Sequence, residues 1–320
     1  MLVLGETDAG KTTLVTQLAN ALLATGHGVA IVDADPGQSE IGPPATIGLG
    51  RVARPPARPA EATLLALHFT GVTSAAANTL GTVVGVARMV ERARAEGFAH
   101  VLVDTSGLVT GELGRALKQA KIALARPDAV VALQRASECE HVVRPYERAH
   151  PPMLLRLPAL GVPRSRSQAE RRQRRRSALA RYLAGARRAT LALDRVALRA
   201  PPLLLGTPLT APELARVAEV LGQDVVWGER RAGGVTIVTA EPIAEAEARA
   251  AGAALGARPL VTHARSDLVG ALAGLEGAGD ETLGVGVVRD VDLAGRTLTV
   301  DLTVPDEAIV SVTIGRAREE

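Results

Sequence analysis

Residues 5–12 read Gly5-Glu6-Thr7-Asp8-Ala9-Gly10-Lys11-Thr12, entered from the apolar run Leu2-Val3-Leu4 and followed at helical spacing by Leu14, Leu18 and Leu22. A strand, a glycine loop carrying Lys-Thr and an amphipathic helix, in that order, make a phosphate-binding loop. The chemistry needs these residue types. Glycines let backbone N–H groups curl round phosphate oxygens, the lysine reaches the β- and γ-phosphates, and the threonine hydroxyl ligates Mg2+ at a helix N-terminus. The pattern predicts a nucleoside triphosphate, ATP or GTP, held by Gly5, Glu6, Thr7, Asp8, Ala9, Gly10, Lys11, Thr12 and Thr13 in an α/β fold. A glycine loop met by chance would lack the strand before it and the helix after it.

A second apolar run, Gly28-Val29-Ala30-Ile31-Val32, ends in Asp33-Ala34-Asp35-Pro36-Gly37-Gln38. Carboxylates leaving the C-terminal end of a buried parallel strand stand where open α/β sheets bind ligands. There an acid either holds Mg2+ or takes a proton from an attacking hydroxyl. For Asp33 a turn capped by Asp and Pro is the alternative. A third run, Val101-Leu102-Val103, ends in Asp104-Thr105-Ser106-Gly107. Such a turn can bring Asp104 into the Mg2+ shell and a Gly107 N–H to a phosphate oxygen; a plain strand-to-helix turn capped by Thr105 or Ser106 is the alternative. Gln134-Arg135, after Ala129–Leu133, stand equally as a border for the nucleobase and as surface.

Outward from these motifs the chain alternates strand and helix signals, which argues for βαβ units and a parallel sheet. Expected strands lie at 1–4, 28–33, 63–69, 99–104, 129–133 and 153–157, and helices at 11–24, 78–96 and 112–125. The Pro/Arg-rich stretch 51–59 reads as an exposed loop, and a long polar helix follows Pro163. From about residue 190 short strands separated by Gly, Asp and Pro take over, at 235–239, 284–288, 297–304 and 308–314, with a helix near 211–221. The expected organisation is a nucleotide domain over 1–190, with a lid helix at about 164–185, and a small, mainly β domain over 191–320.

Composition adds bounds. A chain of 320 residues accommodates one large domain and a smaller one. Net charge is only +3, yet Arg164, Arg166, Arg171, Arg172, Arg174, Arg175 and Arg176 face one acid, Glu170, within a single short stretch, so the positive charge is local. Lys11, Lys118 and Lys121 are the lysines of the chain. Cys139 is the sole cysteine, which excludes an intramolecular disulfide and a cysteine-based metal site. A reducing cytoplasm fits. No secretory leader is expected, since the sequence opens on the first strand of the nucleotide site, although an upstream start is compatible with so short an opening strand. No apolar run approaches the length of a membrane span. His68, His141 and His150 lack ligand spacing with one another and read as structural or surface residues.

Four stretches together resemble the polynucleotide 5′-hydroxyl kinase family of mRNA 3′-end processing, pre-ribosomal RNA processing and archaeal kinases. GETDAGKTT and DADPGQSEIGPPATIG are similar to its phosphate loop and DxDxGQ motif, DTSGLVTGELGRALKQAKIALARPDAVVALQ to its clasp with the following helix and strand, and RSRSQAERRQRRRSALARYLAG to its arginine lid. Asp267–Leu272, Val304-Pro305 and Thr313–Arg316 are similar to its C-terminal domain. DADPGQSEIGPP is the specific part, since a phosphate loop alone is common.

The resemblance implies transfer of an NTP γ-phosphate to the 5′-hydroxyl of single-stranded RNA or DNA. It places Lys11 on the phosphates, makes Asp35 the base, and sets Gln38 near the attacking end. Thr12, Asp33 and Asp104 become the Mg2+ candidates, and Thr105, Ser106 and Gly107 the clasp. In the RSxxxRR pattern Arg166 falls on the first arginine and Arg171 and Arg172 on the pair, so Arg166 and Arg171 are expected on the transferring phosphoryl group. Arg172, Arg175 and Arg176 are expected on nucleic acid. The clasp departs from the family form, which has tryptophan where Leu108 stands. Two other readings compete: an NTP-binding scaffold without transfer, which has no physical need for a base such as Asp35 beside the γ-phosphate, and a GTPase-type switch, for which no Asn-Lys-x-Asp guanine signal is present. For the arginine run the alternative is a solvated helix.

Overall fold

Leu2 and Leu4 pack on one face of the first strand and Val3 on the other, and all three are fully buried. A strand apolar on both faces belongs inside a parallel sheet covered by helices on each side. The computed structural model, which describes residues 1–159 and 167–320, builds that sheet. Its contacts divide the chain into two units, Met1–Ala184 with Glu320, and Gly185–Glu319.

In the first unit β1 (Leu2–Gly5), α1 (Lys11–Leu23), β2 (Val29–Ala34), β3 (Thr46–Val52), β4 (Thr63–Phe69), α2 (Thr79–Ala95), β5 (His100–Thr105), α3 (Gly111–Ala125), β6 (Ala129–Gln134), α4 (Glu140–Val143), β7 (Met153–Pro158) and α5 (Gln168–Tyr182) follow in order. The strand order is β7-β6-β1-β5-β2-β3-β4. From β7 to β2 every pairing is parallel, and β3 and β4 add antiparallel strands. The helices α2 and α3 cover one face through Val86, Met89, Val90 and Ile122, and α1 covers the other through Val15 and Ala19. The C-terminal ends of β1, β2 and β5 are therefore neighbours, and the phosphate loop, the Asp33–Gln38 stretch and the Asp104–Gly107 turn each hang from one of them.

The expected loop at 51–59 needs correction at its start, because Arg51 and Val52 complete β3. That strand, Thr-Ile-Gly-Leu-Gly-Arg-Val, carries two glycines and no alternation to betray it. At α5 the sequence Ser167-Gln168-Ala169-Glu170 forms a capping box: the Ser167 hydroxyl accepts from Glu170 N at 3.1 Å and the Glu170 carboxylate from Ser167 N at 2.7 Å. The cap matters because this helix buries only Leu179.

In the second unit a six-stranded sheet runs Ala197–Ala200, Ser311–Arg318, Ala271–Glu276, Thr282–Asp292, Thr297–Leu302, Arg187–Ala192, antiparallel except for the first pair. A four-stranded sheet, Thr207–Pro208, Val225–Arg231, Gly234–Thr239 and Leu260–Ala264, packs with the helices Ala211–Leu221 and Glu245–Ala254. The helix at 245–254 is an addition to the sequence reading. Its Ala- and Glu-rich turns carry no leucine stripe.

Candidate active site

Gly10 stands at φ 93°, a left-handed conformation that suits glycine, and there the loop after β1 turns into α1. That turn delivers Lys11 and Thr12 to the mouth of a cavity of about 860 Å3 lined also by Thr7, Asp8, Asp35, Gln38, Asp104, Ser106 and Gly107. Lys11 is 8% exposed and its Nζ donates to Glu6 O at 2.7 Å. Burial lowers its pKa, and the nearby Asp104 carboxylate works against that shift.

Thr12 Oγ1 donates to Asp104 Oδ2 at 2.6 Å, joining the phosphate loop to the end of β5. Asp104 Oδ1 and Ser106 Oγ are buried in the cavity wall without a hydrogen-bond partner among the described residues. Buried polar atoms are seldom left so, and both can meet a polar group of a ligand from the cavity. Burial pushes Asp104 up to about 6, against the Thr12 hydroxyl and the Lys11 ammonium. A hydroxyl and one carboxylate oxygen with an open lone pair suit Mg2+, which takes few protein ligands and completes its shell with phosphate and water. Among the described residues no cluster of three acids, histidines or cysteines offers an alternative metal site.

The carboxylates of the β2 end behave differently. Asp33 Oδ2 accepts from Glu40 N at 2.5 Å and Ile41 N at 3.1 Å, and its Oδ1 from Asp35 N at 3.1 Å. Both oxygens thus organise the 35–41 loop. Burial raises Asp33 to about 8, assisted by the Asp104 charge and opposed by the Glu40 and Ile41 amides. Asp35 is half-buried, and its Oδ1 accepts from Gly37 N at 2.9 Å and Gln38 N at 3.2 Å. No hydrogen bond to Asp35 Oδ2 forms among the described residues. Gln38 lines the cavity with its Nε2 on Gly37 O, at 2.8 Å.

In the clasp, Gly107 passes so close to Thr7 that a Cβ would collide with it. Leu108 lines the cavity too. Arg171, Arg174, Arg175, Arg181 and Tyr182 bring one face of α5 to the same cavity, and Arg174 lies 4.0 Å from Glu40. Arg172 and Arg176 are exposed and do not line the cavity. Arg175 also pairs with the C-terminal Glu320 at 2.6 Å. Arg166 lies outside the described residues. Gln134 is occupied by Glu140 and by Cys139 N, whereas Arg135 reaches the phosphate loop at Asp8 O, 3.1 Å away.

Lys118 and Lys121 are the residues that sequence reading passed over. Both are 0% exposed, behind the carboxylates. Their signal was available: they occupy two places on the core-facing stripe of α3, with Gly114, Leu117, Ile122 and Ala125.

Comparison with known proteins fits this geometry. The family model of the mRNA cleavage and polyadenylation factor CLP1 P-loop matches residues 5–185. A polyribonucleotide 5′-hydroxyl-kinase of Pyrococcus furiosus is 33% identical over 246 residues, covering 77% of this chain and 67% of the relative. One of Pyrococcus abyssi is 28% identical over 99% of this chain and 87% of its own length. Among solved structures, a chain of the wild-type Clp1p–Pcf11p complex superposes with a TM-score of 0.63 at 14% identity, over 99% of this chain and 74% of that one. At that identity the likeness speaks for the fold.

Proposed function

This chain belongs to the CLP1 P-loop family, and from that premise we propose that it is a polynucleotide 5′-hydroxyl kinase, transferring the γ-phosphate of ATP to the 5′-hydroxyl of single-stranded RNA. The observation that carries the reading is the convergence on one cavity of Lys11 and Thr12, the Asp35 carboxylate and the arginine face of α5. Binding alone would need only the first two.

In this reading Lys11 holds the β- and γ-phosphates, while Thr12 and Asp104 are the residues that would hold Mg2+, which would supply neutralisation of phosphate charge. Asp33 keeps the 35–41 loop in place rather than ligating the metal. Asp35 Oδ2 takes the proton of the 5′-hydroxyl, whose oxygen attacks the γ-phosphorus as the bond to the β-phosphate oxygen breaks and ADP leaves. Arg171 offsets the charge on the transferring group. Phosphoryl transfer asks little covalent chemistry of a protein, so beyond the proton taken by Asp35 the task is positioning and charge stabilisation.

The test is end-labelling: protein, Mg2+ and γ-labelled ATP or GTP with 5′-hydroxyl RNA or DNA oligonucleotides, with Lys11→Ala as control. Label should appear at the 5′ end of RNA and vanish in the control. Nucleotide binding without labelling of either polymer would point to a scaffold instead.

A further inference from the structure

Three of the 37 lysine and arginine side chains are lysines, one lining the cavity and two buried behind it. Lys11 belongs to the phosphate loop. Lys118 and Lys121 come from the core-facing stripe of α3, where an apolar residue would pack at no electrostatic cost. Fully buried ammonium groups are expensive unless charged and hydrogen-bonding partners compensate. Here the compensation is specific. Lys118 Nζ donates to Thr105 Oγ1 at 2.9 Å and to Ser106 O at 2.5 Å. Thr105 Oγ1 in turn donates to Val3 O at 2.8 Å, in the strand that carries the phosphate loop. Lys121 Nζ donates to Ala34 O at 3.2 Å, the carbonyl between Asp33 and Asp35.

We propose that Lys118 and Lys121 are positioning residues for phosphoryl transfer, each anchoring the end of one acid-bearing strand to α3 and so setting Asp104 and Asp35 relative to each other. This rests on the kinase reading above. Lys118 fixes the end of β5 behind Asp104; Lys121 fixes the end of β2 behind Asp35. With Lys11 they bring three lysine amino groups to the neighbourhood of Asp33, Asp35 and Asp104. Arginine would not serve. Its planar fork carries five N–H donors that would all need partners, whereas a lysine is a compact point donor suited to the few acceptors present, two at Lys118 and one at Lys121.

The experiment compares Lys118→Met, Lys121→Met and the corresponding glutamine variants with wild type. Circular dichroism and thermal melting check the fold. Steady-state end-labelling separates kcat from KM, and electron paramagnetic resonance measures Mn2+ binding to the complex with a non-hydrolysable ATP analogue. A folded variant should lose on the order of 10²-fold in kcat, the scale of an ångström-sized misplacement, with oligonucleotide KM little changed. Mn2+ affinity should fall by about tenfold, as when a residue that orients a metal ligand is removed. Folded variants with wild-type kcat and Mn2+ affinity would overturn the proposal and leave the kinase reading intact. Loss of the folded state in both the methionine and the glutamine variants would also overturn it, assigning the lysines to the fold. If wild type labels no oligonucleotide, the kinase reading itself fails, while the Mn2+ measurement still reports on the anchoring.

Discussion

Thr12 Oγ1 and Asp104 Oδ2 are 2.6 Å apart although 92 positions separate them in the chain. The bond fastens the first turn of α1 to the end of β5 and leaves Asp104 Oδ1 unpartnered in the cavity wall. Asp104→Asn keeps an acceptor for Thr12 but loses the charge that attracts a cation. The Mg2+ concentration giving half-maximal labelling should therefore rise by about tenfold or more, with metal-free nucleotide binding little affected. An unchanged Mg2+ dependence would remove Asp104 from the metal site.

The Asp33 carboxyl, held at about 8 against 3.8 in its ordinary state, makes stability depend on pH. Between those values the folded protein keeps a proton that the unfolded chain releases, so stability falls as pH rises and the loss is complete above about pH 8. Asp33→Asn removes that titration. Its urea midpoint, without nucleotide or metal, should decline less than that of wild type from pH 5 to 8. Parallel declines would show that Asp33 contributes nothing to the slope.

Asp35 can be tested apart from its loop. Its Oδ1 accepts from the Gly37 and Gln38 amides, and an asparagine oxygen can do the same. Asp35→Asn should thus preserve the turn and hold nucleotide affinity within about fivefold while kcat falls by on the order of 10²-fold or more, the range a general base contributes. An equal loss in nucleotide binding would make Asp35 chiefly a metal ligand.

How much of this was legible in the sequence follows from where each signal lives. Both-face apolar runs such as Ala129–Leu133 mark central parallel strands without any tertiary knowledge, and Thr63–Phe69 was bounded correctly by its flanking turns. Thr46–Val52 was not, because its hydrogen bonds to β2 and β4 define it and its glycines carry no pattern. The motifs located Lys11, Thr12, Asp35 and Asp104 at one cavity. They could not divide labour between Asp33 and Asp35, since that depends on which oxygens the loop amides consume. Nor did they disclose Lys118 and Lys121, whose hydrogen bonds to Thr105, Ser106 and Ala34 form only in the folded chain.

The arginine helix allows a sharp separation between charge that acts on the reaction and charge that only attracts substrate. Arg171 stands on the cavity side of α5, four positions before Arg175 on the same face, whereas Arg172 and Arg176 are exposed and do not line the cavity. If Arg171 offsets charge that develops during transfer, Arg171→Ala should lower kcat by on the order of 10²-fold or more, the scale for losing a transition-state charge stabiliser, and saturating oligonucleotide should not restore it. The double variant Arg172→Ala with Arg176→Ala should leave kcat in place and weaken oligonucleotide binding. Affinity carried by phosphate contacts falls with salt at a log–log slope of about −0.7 per neutralised phosphate on single strands, so the double variant should also show a shallower slope than wild type. Steady-state labelling across a salt series reads both effects together. The same modest, salt-sensitive binding defect in both variants would reduce α5 to an electrostatic surface and take Arg171 out of the catalytic set.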